Sequence, residues 1–281
     1  MKSPFIPALS PESAQEAAPR AVTSSPLELG AVTVYDYGEI KLHAYRLGDA
    51  LSDECYLIES PEGVVMLETG AFTANLIEWS RYIVRLGKPV AGALLAYHPN
   101  GIELFGDITV YATENALKSW GKGGSIRALA DNFVAGFGDA VAATLPFRAE
   151  IIRFGDTLTL AGVDFIIRDE GDRAYGVEIP AINCVYIHMM GSDCHNILSG
   201  KAHISAFITE LKALGNTLVL TSHHAPEGQT AVDTKIAYLQ KVLELSGICA
   251  DAGAFTDAMN GAFPSYGGAN YLEMTAKAFY R

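Results

Sequence analysis

The chain of 281 residues carries 20 Lys and Arg against 32 Asp and Glu, a formal net charge of −12, with no basic run anywhere. Such a surface offers no footprint for phosphates, so nucleic-acid substrates are disfavoured. Hydrophobic residues make up 49 %, enough for a large core, yet no uninterrupted apolar run reaches the ~18 residues that a bilayer crossing needs.

The amino terminus, Met1 to Pro26, is rich in Pro, Ala, Ser and Glu and has no hydrophobic stretch of the secretory type. It reads as a flexible tail, or an arm that orders against a partner subunit, ahead of a single domain over 27–281. Glu54 to Glu59 and Val64 to Glu68 are two short strand-like runs around Ser60-Pro61-Glu62-Gly63, a hairpin signal, with Thr69-Gly70 directly after. A helix follows, with Leu76, Ile77, Ser80, Ile83 and Val84 on one face and Gly87 as its C-cap. Ala91 to Ala96 is an apolar run that reads as a buried strand, and it delivers His98-Pro99-Asn100-Gly101-Ile102-Glu103 at its carboxyl end, where sites tend to be built.

Thr113 to Gly121 and Ser125 to Ala142 read as helices joined by a glycine-rich hinge, Gly121-Lys122-Gly123-Gly124. The hinge lacks the GxxxxGK[ST] pattern of a phosphate loop. Gly155 to Gly162 begins a strand-turn-strand unit, and Cys184 to His188 and Thr217 to Leu220 read as strands. Between these last two, Ile204, Phe207, Ile208 and Leu211 form a helical stripe ended by Gly215. Thr230 to Asp233 is a capping-box signal ahead of Ile236, Leu239 and Leu243. The last segment, Tyr266 to Arg281, is aromatic and apolar enough to dock on the core or to contribute to a homodimer interface. Cys55, Cys184, Cys194 and Cys249 show no CxxC spacing and lie mostly in apolar runs, so buried thiols are expected, in a soluble cytoplasmic protein.

The order hairpin, Thr-Gly, helix, strand, His-loop resembles the metallo-β-lactamase superfamily over roughly residues 30 to 225. The resemblance implies an α/β (α+β) four-layer αββα sandwich, with the helices near 113–145 inserted and further helices at the carboxyl end. Glu68-Thr69-Gly70 stands where that family has Asp-Thr-Gly. The family's metal-ligand positions fall on His98, Asn100, Ile102, Glu103, Asp172, Met190 and His223. Two metals bridged by a carboxylate are therefore not expected, because Met190 would occupy the bridging position with an uncharged thioether. The resemblance leaves His98, Glu103, Asp172 and His223 as ligands for one divalent ion, zinc first and iron or manganese after it, or for no metal at all.

Each of these residues also has a plainer reading. His98 suits a turn at a strand end, Glu103 a helix's first turn, and Asp172 an Asx turn or a pair with Arg173. The adjacent His223-His224 is the more specific signal, since one of two successive rings must face the cleft. In the run His188 to Asn196, Asp193 and His195 are candidates for ligands or an acid–base pair, or else for loop packing. His224, Asp193 and His195 are the expected proton carriers.

Two functions follow. In one, a mononuclear metal-dependent hydrolase acts on a small neutral or hydrophobic ester, lactone or thioester, its pocket drawing on 13 tyrosines, 12 phenylalanines and two tryptophans. In the other, the fold is metal-free and serves as a small-molecule binding protein or a non-hydrolytic, cyclase- or isomerase-type enzyme, as apolar Ile102 and Met190 at former ligand positions favour.

Overall fold

Antiparallel hairpins open each half of the chain, parallel pairing follows, and the second half ends on one more antiparallel pair. The computed structural model describes residues 18–170, 174–188, 190–216 and 218–280. In the first sheet, β1 (Ala21–Pro26), β2 (Ala31–Asp36), β3 (Lys41–Arg46), β4 (Glu54–Glu59) and β5 (Val64–Leu67) pair antiparallel in chain order, and β6 (Val90–Leu94), β7 (Val110–Ala112) and β8 (Glu150–Ile151) add on in parallel. The second sheet has the order β14 (His224–Glu227), β13 (Leu218–Thr221), β12 (Cys184–Tyr186), β11 (Gly176–Ile179), β10 (Val163–Arg168), β9 (Thr157–Leu160). Ala161 and Gly162, both at positive φ, make the tight β9–β10 turn that twisted antiparallel strands require.

Residue parity assigns the layers. Cys184, Tyr186 and Leu220 face the core shared with β3 to β6, while their neighbours Val185 and Val219 face a second core. That second core is covered by α4 (Lys201–Ala213), α5 (Gln229–Ile248), α6 (Ala252–Ala262) and α7 (Ala269–Phe279), which contribute Leu211, Leu239, Phe255 and Leu272. On the other side α1 (Thr73–Arg85) lays Leu76, Trp79 and Ile83 on the first sheet, with Trp79 stacked between Tyr45 and Tyr82 at 4.9 and 5.1 Å. The order helices, sheet, sheet, helices is the αββα sandwich. No helix among the described residues is long and apolar enough to cross a membrane, and all four cysteines are free, two of them buried.

Several expectations change in detail. The segment assigned to the tail gives up Ala21–Pro26 to β1, paired along its length with β2; residues 1–17 lie outside the described residues. The buried face of α1 turns away from Ile77 and Val84, which are exposed, toward Trp79. The inserted helices are α2 (Glu114–Trp120) and α3 (Ser125–Phe137); α3 stops short of Ala142 because Gly138 adopts φ +60°, and Val141 instead bridges to Phe72. The Thr230 capping box does not form. The helix already starts at Gln229 with Gly228 as N-cap, so the Thr230 carbonyl accepts from the Thr234 hydroxyl inside it. A cavity of about 510 Å³ opens in the insertion beside Trp120, Lys122 and Arg127, and no histidine lines it.

Candidate functional site

Everything at the site hangs on the turn after β5. Glu68 takes φ +61°, a left-handed conformation that is costly for a residue with a side chain, and its fully buried carboxylate thereby reaches under the next strand end. There it accepts the backbone N–H groups of Ala96 at 2.8 Å, of Tyr97 at 3.1 Å, and of His98. Burial pushes this carboxyl up to about 7, against those N–H groups, which favour the ionised form. Thr69 adds a clamp: its N–H donates to the His98 carbonyl and its hydroxyl is 2.9 Å from the Asn100 carbonyl. Glu-Thr-Gly therefore works as the bracket that fixes the His98 loop.

Three imidazoles converge above that bracket. His98 comes from the loop after β6, His188 from the exit of β12 and His223 from the turn between β13 and β14. Ring centroids are 5.1 Å (His98–His188), 5.0 Å (His98–His223) and 5.2 Å (His188–His223) apart, and one donor atom from each lies within 4.8 Å of the others. His188 is stacked on Tyr97 at 3.9 Å, and its Nδ1 is 3.0 Å from the Ser222 hydroxyl. Burial lowers the His98 imidazole to about 4, with Asp53 opposing and His223 adding to the drop. Burial lowers His188 as well, helped by the other two rings. Both are thus neutral near pH 7, the form in which histidine binds metals. His98 is buried while His188 and His223 are half-buried, so the cluster is reached from their side.

Asp53 stands behind the cluster. It belongs to the loop between β3 and β4, is fully buried, and has its Oδ1 3.2 Å from His223 Nδ1 and 3.8 Å from His98 Nδ1. Burial alone would raise its carboxyl, but His98 and His223 outweigh that and hold it below the usual range. The fold family implies a metal here, and the residues fit one. Three neutral nitrogen donors form a set that zinc accepts while keeping a position open. Asp53 Oδ1 and His223 Nδ1, both buried, have no aligned hydrogen-bond partner among the described residues, the sort of orphan pair expected beside a cation site.

The structure brings His98 and His223 together and adds His188. The family resemblance places the corresponding position at Met190, two residues on, and Met190 is buried in the second core. Glu103 does not join. It sits exposed in the 3₁₀ turn Ile102–Phe105, whose geometry gives the inward place to Ile102 in the first core. Asp172 lies outside the described residues. His195 is not placed to carry protons: it is fully buried, with Nδ1 3.1 Å from the Tyr238 hydroxyl and its ring packed against Tyr266. His224 and Asp193 do pair, Nε2 to Oδ1 at 2.9 Å, in a half-open position; His224 Nδ1 is 3.1 Å from the Ala225 carbonyl and 3.5 Å from Glu227 Oε1. A neutral ring can donate to only one of these sides at a time, and a protonated ring to both. Glu227 in turn accepts the Ser192 N–H at 3.0 Å, which ties the 190–196 loop to β14.

The signal for His188 was available: it follows a buried strand and shares its parity with Tyr186, whose hydroxyl is 3.4 Å from the ring. Asp53 had none: a lone acid directly ahead of the Glu54 to Glu59 strand run carries no ligand spacing.

No protein-family model and no curated protein matches the chain. Solved structures do. A metallo-β-lactamase family protein from Thermus thermophilus superposes with TM-score 0.60 at 14 % identity, over 86 % of this chain and 91 % of the other. A β-lactamase domain protein from Burkholderia ambifaria gives 0.60 at 15 % identity over 88 % and 85 %. The inverting sec-alkylsulfatase Pisa1 of a Pseudomonas species gives 0.55 at 15 % identity, over 85 % of this chain but only 48 % of its own, so this chain spans about half the sulfatase's length. With both sheets, their helical covers and the His98 loop in the matching order, the chain has the metallo-β-lactamase fold.

Proposed function

We propose that this protein is a mononuclear metal-dependent hydrolase whose ion is held by His98, His188 and His223, and that it acts on a small neutral or hydrophobic ester, lactone or thioester. The observation that carries the reading is the convergence of three imidazoles from three separate strand ends. Such a set favours zinc; manganese prefers oxygen ligands, and the non-haem iron triad needs a carboxylate in place of one histidine. Bound there, a divalent ion supplies Lewis acidity to polarise a carbonyl and to activate water near neutral pH.

The chain's own residues do the rest. Glu68 and Thr69 keep His98 rigid, so the donor set is preorganised. Phe72 and Phe137, edge to face at 5.2 Å, join the insertion to the loop after Thr69-Gly70. His224, backed by Asp193, is the proton carrier nearest in sequence to the ligands, half-open and poised between acceptors. The net charge of −12 supports uncharged rather than phosphorylated substrates.

The test is hydrolysis of a panel of short-chain aryl esters, γ- and δ-lactones and acyl thioesters by zinc-loaded protein. Turnover that disappears in His188→Ala and falls about 10²- to 10⁴-fold in His224→Ala, as loss of a general acid–base does, supports the assignment. Metal-loaded protein that turns over none of these classes removes the substrate proposal and returns attention to the binding or isomerase reading.

A further inference from the structure

We infer that Asp53 is the positioning carboxylate of the metal centre, a residue that sets the ring orientation of two ligands and supplies the negative charge the three-histidine set lacks. The inference rests on the metal-centre reading and adds a residue that the sequence does not single out.

Asp53 is built in from every side. Its N–H donates to Asp49 Oδ1 at 3.0 Å and its carbonyl accepts the Leu47 N–H at 3.0 Å, which fixes its backbone. Its Oδ2 accepts the Ala71 N–H at 3.2 Å. Gly70 leaves the room for this: a Cβ there would stand 2.2 Å from Leu47 Cδ2 and 3.7 Å from Asp53 Oδ2. One carboxylate oxygen is thus anchored to backbone and the other, Oδ1, is presented to the two histidine Nδ1 atoms.

Nδ1 of all three histidines has a polar neighbour: the Ser222 hydroxyl is hydrogen-bonded to His188, while Asp53 Oδ1 stands 3.2 Å from His223 Nδ1, unaligned, and 3.8 Å from His98 Nδ1, at ion-pair distance. A ring that donates its Nδ1–H to such a partner is fixed in the tautomer that offers Nε2 to a metal. Asp53 is not itself a member of the converging donor set, which places it behind the ligands. Charge argues the same way. A fully buried carboxylate is expensive unless compensated. A divalent ion held by the three rings would bring compensating charge, and Asp53 would offset part of it in a donor set without a carboxylate of its own.

The experiment uses full-length Asp53→Asn and Asp53→Ala beside the wild type. Zinc affinity is read by competition with a chromophoric chelator, coordination by the visible spectrum of the cobalt-saturated protein, and fold by the thermal midpoint of the metal-free form. The expected result is zinc affinity about 10- to 100-fold weaker in both variants, the loss typical of removing a ligand's outer partner. The cobalt bands of Asp53→Asn should stay in place at saturation, and its metal-free midpoint should not fall. Unchanged affinity overturns the role of Asp53 while leaving the metal centre standing. Moved cobalt bands overturn it in favour of direct ligation, and a lowered metal-free midpoint in favour of plain structural support. A wild type that binds neither zinc nor cobalt overturns the metal centre itself.

Discussion

Thr69 and His188 show how single side chains decide this site. The Thr69 hydroxyl is fully buried and lies between the carbonyls of His98 and Asn100, so Thr69→Val keeps the shape and removes the donor. The expected cost is about 1–3 kcal/mol of stability, read by chemical denaturation, because buried carbonyls lose a partner. Zinc affinity should fall with it. Lys235 gives the clearest pH signature. It is fully buried, and burial lowers its amine from 10.5 to about 8, although its Nζ donates to the Cys194 carbonyl at 2.8 Å and to Asn196 Oδ1 at 2.6 Å. With the folded pKa depressed, the unfolded chain binds more protons between those values, so stability rises with pH across that window and is lost as pH falls back through about 8. Compared with Lys235→Met, the wild type should gain roughly 3 kcal/mol on going from pH 8 to 10.5, measured by urea denaturation at each pH. At this scale the sequence was half legible. His98 and His223 are found through the order of elements around them. His188 is passed over because the family order puts the ligand at Met190, two residues on, although strand parity with Tyr186 marked it. Asp53 escapes sequence reasoning because its partners lie 45 and 170 positions away along the chain.

Elements were easier to read than residues, since burial imposes periodicity over many positions. The β4–β5 hairpin, α1 and the β6 strand appear where their patterns place them. The failures are local and have local causes. In the single 3₁₀ turn bounded by Gly101 at φ +63° and Gly106 at φ +93°, Ile102 takes the inward place and Glu103 is exposed. Gly101 is also where the His98 loop, α1 and the insertion meet: a Cβ would stand 2.6 Å from Leu76 Cδ1 and 2.8 Å from Ala142 Cβ. Gly101→Ala should therefore destabilise by about 1–3 kcal/mol through overpacking and left-handed strain together. Differential scanning calorimetry of the variant checks this, and an unchanged midpoint would mean that the loop is looser than its contacts indicate.

For the whole molecule, two cores on either face of the second sheet explain how the carboxyl-terminal helices serve a site made by strands. The α7 helix buries Leu272 and Ala276 in the second core, and its Thr275 hydroxyl donates to the Asn196 carbonyl and accepts the Leu198 N–H at 2.8 Å. Removing residues 269–281 takes away both and frees the loop that carries Asp193. Burial of one leucine alone is worth about 2–5 kcal/mol, so the truncated chain is expected to unfold at a clearly lower temperature and to aggregate through the exposed second core. The αββα order was legible because it depends on alternation and turn signals spread over the chain, whereas the chemistry depends on a few atoms whose meeting is a product of the finished fold.

The most direct measurement is elemental analysis of chelator-free, untagged protein alongside His98→Ala, His188→Ala and His223→Ala. About one equivalent of zinc in the wild type, lost in all three variants, is the expected result for a three-histidine centre. Metal retained in His188→Ala, or a wild type that holds less than about a tenth of an equivalent after exposure to excess zinc, would contradict it.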